Sequence, residues 1–249
     1  MTFTIGNVFS RGFNLIGQNF VLLLLVGLLT YAIPVGLGAG ILYTTNGLDV
    51  NNPQLLGAEQ VLSMIIYGLM SMLFYFVNMS VVTELSITRA VNQPFEIGTA
   101  LKRGVANIVP LFLVMLLCAL AIILGLILLI IPGIIVLIAL SVAIPAYVAE
   151  GRTGIVESLK RSWKLTENHR WAILAIFLLI GIFGALFTGI IQVVSEIFYT
   201  QAPAIAIGLN SIIEGLYTLI NTVFTVVIYV VLRQSKEGNA PESLASVFE

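Results

Sequence analysis

The chain has 249 residues, of which 59% are hydrophobic and only 9% are charged, and its mean hydropathy is +1.08. A soluble domain has about a quarter of its residues charged, because a surface in water has to be largely polar. The composition therefore excludes an ordinary soluble protein and indicates a membrane protein. The net charge of −1 hides a segregation of charge along the chain.

Six apolar runs are long enough to cross a bilayer, which takes about 20 residues in a helix. They are about Phe20 to Tyr43, Val61 to Ala90, Ile108 to Ile131, Gly133 to Ala149, Trp171 to Ser195 and Ala204 to Leu232. We expect six transmembrane helices, with a tight hairpin at Pro132-Gly133 between the third and the fourth. Mixed residues precede the first run, which is long enough to span, so we expect no cleavable signal peptide.

The positive charges are distributed asymmetrically between these runs. All eleven Lys and Arg residues fall in every second gap between the apolar runs. They are Arg11, Arg89, Lys102, Arg103, Arg152, Lys160, Arg161, Lys164, Arg170, Arg233 and Lys236. Positive charge stays cytoplasmic during membrane insertion. The pattern therefore predicts that these gaps and both chain termini lie in the cytoplasm.

A short pattern recurs ahead of the spans. The first copy is Phe3-Thr4-Ile5-Gly6 followed by Arg11-Gly12. The second copy has identical spacing and is Phe95-Glu96-Ile97-Gly98 followed by Arg103-Gly104. A weaker third copy is Ile155 followed by Leu159-Lys160-Arg161-Ser162. Aligned on the arginine, the copies share apolar residues at helical spacing. These are Ile5, Phe9, Phe13 and Ile16, then Ile97, Leu101, Val105 and Ile108, then Ile155, Leu159 and Trp163. The alternative is a chance likeness between short amphipathic linkers.

Each copy predicts an amphipathic helix in the membrane interface, with its apolar stripe toward the acyl chains. We expect these helices at about residues 4–17, 96–107 and 154–168. The predicted fold is all-α, with six transmembrane helices in three hairpin repeats, each preceded by an interfacial helix. The repeats cover about residues 3–92, 95–150 and 153–233, and their parallel topology implies an axis near the membrane normal. Residues 1–233 would form one membrane domain, and 234–249 a mobile cytoplasmic tail.

One segment carries a recognisable combination of residues. Its residues are Ile131-Pro132-Gly133-Ile134, Pro145, Glu150-Gly151, Ser158 to Trp163 and Leu165-Thr166. This combination is similar to the membrane domain fused to some glycerophosphoryl diester phosphodiesterases. It also resembles related stand-alone bacterial inner-membrane proteins. The likeness covers about residues 131 to 175 and implies six spans in a bacterial inner membrane. In the fused proteins a separate soluble domain carries the hydrolase chemistry, so the resemblance implies no phosphodiesterase activity here.

The sequence offers no catalytic or metal-binding combination of residues. Its one histidine, His169, has neither a cysteine nor a second histidine near it, and we expect it to anchor the chain at the interface. The one cysteine, Cys118, lies in an apolar run and is expected to pack there. Gly36 and Gly40 lie inside a span and predict close helix packing rather than a phosphate loop. We expect no enzyme, no metal and no cofactor.

Polar residues within the spans are candidates for a transport pathway: Asn78, Glu84, Glu214 and Asn221. Intramembrane charge marks transport when it lies deep in the bilayer. Counting along the spans places Glu214 near the outer boundary and Glu84 about one turn inside the cytoplasmic end, close to Arg89. A local ion pair or a carboxylate that snorkels to the interface is the alternative for Glu84, and interhelical hydrogen bonding is the alternative for the two asparagines.

The basic faces of the interfacial helices are the remaining signal, and together they form a basic collar. Its candidate lipid- or partner-binding residues are Arg11, Lys102, Arg103, Arg152, Lys160, Arg161, Trp163 and Lys164. Each cation near an anionic leaflet contributes about 1 kcal/mol, although simple topology signalling is the alternative. We expect a non-enzymatic protein that organises lipid or partner proteins at the cytoplasmic leaflet. The other hypothesis is a transporter or permease subunit for a lipid-like or small amphipathic molecule.

The expected partners follow from these two hypotheses. Membrane lipids are the first, because the basic collar would face their headgroups. Other membrane proteins and a second copy of the chain stay open as partners. Nucleic acid is not expected.

Overall fold

The computed structural model describes residues 2–46, 57–91, 93–150, 154–199 and 202–238. Within these ranges the chain is helical and contains no β-strand, which confirms the all-α prediction. The helices are α1 (Ile5–Gln18), α2 (Phe20–Gly27), α3 (Ile33–Asn46), α4 (Ala58–Ala90), α5 (Ile97–Ala106), α6 (Ile108–Leu128), α7 (Ile130–Leu140), α8 (Ala143–Ala149), α9 (Ile155–Thr166), α10 (Arg170–Tyr199) and α11 (Pro203–Glu237). A π-helical turn, Leu28–Ala32, joins α2 to α3.

Six stretches of the described chain are long and apolar enough to cross a membrane, as predicted. They are Phe20–Tyr43, Ala58–Ala90, Ile108–Leu128, Ile130–Ala149, Arg170–Glu196 and Pro203–Glu237. This confirms the number of candidate spans and the class of protein. The bounds differ most from the prediction at the turn after the third stretch and at the end of the sixth.

The turn between the third and fourth stretches lies at Leu129, so its predicted position at Pro132-Gly133 is wrong. Leu129 is extended, with φ −168° and ψ 157°, and α7 begins immediately after it. Pro132 lies in the first turn of α7, where a missing N–H removes no helical hydrogen bond. Gly133 is buried against α6, and a Cβ added at Gly125 would lie 2.9 Å from the Gly133 Cα. The two glycines therefore allow α6 and α7 to approach closely.

The fourth stretch is not one continuous helix. It breaks at Ser141 and Val142, between α7 and α8, and Val142 has φ −105° and ψ 17°. Every residue of α8 is buried. This break is the docking point for α9, and the hydropathy of the sequence gives no sign of it.

The first stretch contains a wide turn with an identifiable cause. Pro34 has no N–H to donate to the carbonyl four residues before it, which favours a locally widened helix. The Ile33 N–H bonds instead to the Leu28 carbonyl, five residues back. The wide turn contains Thr30 and Tyr31, which are both buried and bond to α4 and α11 respectively.

Helix α11 lies at the centre of the bundle, and α6 and α10 lie at its edge. In α11, 67% of the most apolar stretch is buried, compared with 17% in α6 and in α10. Helix α11 packs against α1, α3, α4 and α10. The large apolar side chains of α6 and α10 are mostly exposed, as expected of helices that face lipid.

The last helix continues to Glu237, four residues into the segment predicted as a mobile tail. The ion pairs of Glu237 with Arg233, at 3.2 Å, and with Arg161 explain this extension. Residues 239–249 lie outside the described residues. We call the region where the C-terminal ends of α4 and α11 meet α1, α5 and α9 the basic end of the bundle, because it carries Arg11, Arg89, Arg103, Arg161 and Arg233.

Candidate functional site

Helix α9 is held at the break in the fourth stretch by small polar side chains. The Ser162 hydroxyl donates to the Ala139 carbonyl at 2.7 Å and accepts from the Val142 N–H at 3.2 Å. The Thr166 hydroxyl lies 3.3 Å from the same carbonyl. The break interrupts the helical ladder at Val142, and Ser162 gives its buried N–H an acceptor. Ser162 and Thr166 therefore have a structural role. Both belong to the family-like segment, which is the stretch of about residues 131 to 175 that resembles the phosphodiesterase-linked membrane domain.

Arg161 connects α9 to the ends of α8 and α11. Its Nε donates to Glu150 Oε1 at 2.6 Å, and its Nη1 donates to Glu237 Oε1 at 2.5 Å. The Tyr229 hydroxyl donates to the same Glu150 oxygen at 3.0 Å, and Arg233 binds Glu237. Hydrogen bonding to Glu237, and then to Glu150, raises the pKa of Arg161 although burial opposes it. Arg161 is thus bound by two carboxylates.

The other two arginines of the repeated pattern also bind helix ends. Arg103 Nη1 donates to Glu84 Oε1 at 3.0 Å, and Glu84 is only 5% exposed. Glu84 thus pairs with Arg103 and not with Arg89, because residues five apart point to different faces of a helix. Arg11 Nη1 donates to Gln234 Oε1 at 2.6 Å, so this arginine binds an amide.

The three short helices bury equivalent positions when they are aligned on Arg11, Arg103 and Arg161. The buried residues are Val8, Gly12 and Leu15, then Ala100, Gly104 and Asn107, then Ser158, Ser162 and Leu165. Two residues after each arginine the side chain is exposed: Phe13 by 62%, Val105 by 60% and Trp163 by 43%. The face that packs on the bundle is therefore adjacent to the predicted apolar stripe and consists largely of small residues.

Each short helix packs through the small residue that follows its arginine. A Cβ added at Gly12 would clash with the Phe224 ring on α11. One added at Gly104 would lie 2.9 Å from Val81 Cγ2 on α4. Ser162 bonds to α7. These contacts fix the rotation of each short helix, and so determine which of its residues are exposed.

The exposed cations of the basic collar are its lysines. Lys102, Lys160 and Lys164 are all exposed on α5 and α9. Trp163 is also exposed, and the Arg170 guanidinium lies 4.6 Å from the centre of its ring. Arg152, the remaining predicted member, lies outside the described residues. The structure therefore separates the collar into arginines that bind other helices and lysines that face outward.

The polar residues within the spans form separate pairs. Asn78 Nδ2 donates to the Thr30 hydroxyl at 2.7 Å, and both side chains are buried. The Tyr31 hydroxyl donates to Glu214 at 3.0 Å. Asn221 bonds to its own helix, at the Tyr217 carbonyl. These groups are distributed along the bundle and are not brought together with Glu84 into one site.

Among the described residues, no group of three or more His, Cys, Asp or Glu side chains could hold a metal ion. The His169 ring packs 4.9 Å from the Phe3 ring, and burial, together with the charge of Lys236, lowers its pKa. Cys118 is partly buried. The geometry of these two residues offers no nucleophile–base pair.

Sequence reasoning missed the carboxylates and the tyrosine that hold α9. Glu150, Tyr229 and Glu237 come from segments far apart in the chain and meet only through the fold. Glu150 belongs to the family-like segment, and its position at the end of an apolar run was the one available signal. Tyr229 lies within an apolar run and gave none.

Comparison with known proteins gives a family but no function. No curated protein and no solved structure matches the chain. The family model described as a domain of unknown function, DUF7847, matches residues 5–235. This match covers every helix described above except the last two residues of α11. The chain belongs to the DUF7847 family.

Proposed function

We propose that the protein is a non-enzymatic bacterial inner-membrane protein that organises anionic lipid, or partner proteins, at the cytoplasmic leaflet. The observation that carries the proposal is the composition of the basic end. There, α5 presents one exposed lysine near the exposed Val105, and α9 presents two exposed lysines near the exposed Trp163. Such a surface suits the boundary between acyl chains and anionic headgroups.

The orientation of the bundle follows from its charges. The basic end carries both the paired arginines and the exposed lysines, and positive charge is retained in the cytoplasm during insertion. With an even number of spans, both chain termini would lie on that side. The short helices α1, α5 and α9 would then lie in the cytoplasmic interface.

The order of helix contacts supports three repeated units. Helix α5 packs on α4, the last span of the first unit, and α9 packs on α7 and α8, which form the last span of the second. Helix α1 packs on α11, the last span of the third. A ring of three parallel units accounts for this order, because the first unit then follows the third. The equivalent buried positions on the three short helices point to the same arrangement.

The lysines and the arginines have different roles in this proposal. Arg103 and Arg161 hold their helices through Glu84 and Glu150, so their charge is already satisfied. Lys102, Lys160 and Lys164 would each contribute about 1 kcal/mol of attraction to an anionic leaflet. An indole ring favours the same interface, and this accounts for the exposure of Trp163.

We infer that the resemblance to the phosphodiesterase-linked membrane domain reflects a shared way of docking an interfacial helix. The residues that carry the likeness include Glu150, Arg161, Ser162 and Thr166. All of them hold α9 in place by hydrogen bonds or an ion pair. Their role is therefore structural, and the likeness is a hypothesis about ancestry rather than about catalysis.

The test removes the positive charge of the exposed lysines and leaves the ion pairs of Arg103 and Arg161 in place. Lys102, Lys160 and Lys164 are changed together to Gln, and anionic lipid retained by the purified full chain is measured by native mass spectrometry. Retention should fall severalfold, and raising the salt concentration should reduce retention by the wild type in the same way. The matched control changes the same lysines to Arg and should retain lipid as the wild type does. Equal lipid retention by the Gln and Arg variants would contradict the proposal.

A second candidate function is a permease for a lipid-like molecule. The observation that favours it is an apolar cavity of about 870 Å³ between α3 and α11, lined by Gly36, Gly40, Gly208 and Ser211 among others. It lies in the half of the bundle away from the basic end. Transfer of a fluorescent phospholipid between leaflets of proteoliposomes would support this function. Gly40→Leu should then stop the transfer, because its side chain would enter the cavity from a position where an added carbon meets nothing within 4 Å. Unchanged transfer by this variant would contradict the permease function.

A further inference from the structure

A second cavity lies at the basic end, where α1 meets the C-terminal ends of α4 and α11. Its volume is about 300 Å³. Its polar lining comprises the side chains of Arg11, Asn14, Gln18, Asn19, Arg89 and Gln234. Two guanidinium groups and four amides thus surround one space, and none of the described lining residues is acidic.

Arg89 brings to this cavity a positive charge with a hydrogen-bond donor that is unsatisfied within the described part of the chain. Its Nε is buried and has no hydrogen-bond partner among the described residues. A buried donor on a charged group is unfavourable unless an acceptor reaches it. Arg89 also lines the cavity, so an acceptor there would meet its guanidinium group, and a small rotation of the side chain would bring the Nε within reach. Helix α4 ends one residue after Arg89, and residues of α1 line the same cavity.

The other arginine of the cavity is held in position. Arg11 donates to Gln234 at 2.6 Å, and its helix is fixed by the contact of Gly12 with Phe224. At the equivalent place in the other two short helices, Arg103 and Arg161 meet carboxylates. Here the side chain that Arg11 meets on the neighbouring span is an amide, Gln234.

We propose that this cavity binds the phosphate oxyanion of an anionic headgroup, with Arg89 and Arg11 as its cationic ligands. Guanidinium groups match the geometry of phosphate oxygens, and side-chain amides donate to the remaining ones. Exposed Phe20 and Val21 begin α2 directly after Asn19, so the acyl chains of a bound lipid would have an apolar surface to follow. This inference rests on the proposed function, because it assigns to one site the lipid that the basic end attracts.

The experiment uses the purified full chain in mild detergent and two probes, inorganic phosphate and a short-chain phosphatidylglycerol. Arg89→Gln should weaken binding of the short-chain lipid by about 10- to 100-fold, the usual effect of losing a hydrogen bond to a charged group. Inorganic phosphate should compete with the lipid. If phosphate binds and the lipid does not, the oxyanion site stands and its ligand is a soluble phosphate. Equal binding of the lipid and of phosphate by Arg89→Gln and the wild type would overturn the proposal.

Two further measurements separate this site from the basic collar and from a folding defect. The variant with Gln at positions 102, 160 and 164 should retain less of the anionic lipid that high salt removes, but it should still bind one short-chain lipid in the cavity. The two proposals can therefore fail independently. Without ligand, Arg89→Gln should unfold at the same temperature as the wild type or higher, because it removes an unpartnered buried donor. The lipid should then raise the unfolding temperature of the wild type only. A ligand-free destabilisation with unchanged lipid binding would show a structural role and overturn the assignment.

Discussion

Arginines and lysines occupy different positions at the basic end of the bundle. Arg103 and Arg161 point into the protein and bind Glu84 and Glu150, whereas Lys102 and Lys160, one residue earlier, are exposed. The planar guanidinium makes several directed hydrogen bonds at once and is less strongly hydrated than an ammonium group. It is therefore the better group for holding one helix against another, and lysine is the better group for a surface in water.

The contribution of the Arg161 network can be measured by removing one carboxylate. Glu150→Gln keeps the shape of the side chain but loses the charge that binds Arg161 and Tyr229. Because these groups are only partly exposed, the free energy of unfolding should fall by about 1–3 kcal/mol. Glu167→Gln, at an exposed position directly after α9, is the control and should change it by less than about 0.5 kcal/mol. Chemical denaturation in detergent gives both values, and equal effects would argue against a structural network.

At the scale of the helices, sequence patterns located the elements better than they identified the packing faces. Hydropathy placed all six candidate spans, because a long apolar run has few other stable conformations. For the short helices the sequence showed only a stripe of large apolar residues, which was predicted to face the acyl chains, and it offered no prediction of the face that packs on the bundle. The buried face instead carries Gly12, Gly104 and Ser162, whose small size allows close approach and gives no hydropathy signal. The break at Val142 was missed for a related reason, since its hydrogen-bond partner is distant in sequence.

This packing face predicts the effect of a bulky residue on helix docking. Gly104→Leu would force α5 away from Val81 and should lower the free energy of unfolding by about 1–3 kcal/mol or more. Ala106→Leu lies on the exposed side of the same helix and should have little effect. Limited proteolysis within residues 93–107 should be faster in the first variant alone. Similar cleavage of both would mean that α5 does not dock through Gly104.

The hairpin of α6 and α7 depends on the contact between two glycines. Gly125→Ala would place a methyl group 2.9 Å from the Gly133 backbone, which cannot move as a side chain can. The unfolding temperature should fall by several degrees, because overpacking by one methyl group costs about 1–3 kcal/mol. Gly181→Ala is the matched control, since nothing lies within 4 Å of the added carbon. If the two variants unfold alike, the close crossing is not important for stability.

At the scale of the whole molecule, the proposed headgroup site depends on the closure of the bundle. The cavity at the basic end combines Arg11, Arg89 and Gln234, from the beginning, middle and end of the described chain. No spacing in the sequence could have indicated it, because the contact of α1 with α11 brings these residues together. The basic collar, in contrast, was visible in the sequence because its residues lie in or next to three short helices, each of them local in the chain.

The orientation of the whole bundle is the last prediction, and it follows from the separation of charge. We expect the basic end to lie in the cytoplasm, which places the first turn of α4 on the opposite side. In a Cys118→Ser background, single substitutions Glu59→Cys, Thr99→Cys and Glu167→Cys place thiols at exposed positions. A membrane-impermeant maleimide added to intact cells should label only Glu59→Cys. After permeabilisation all three should react, which controls for accessibility. Labelling of the other two in intact cells would place the basic end outside, away from the anionic leaflet that the proposed function requires.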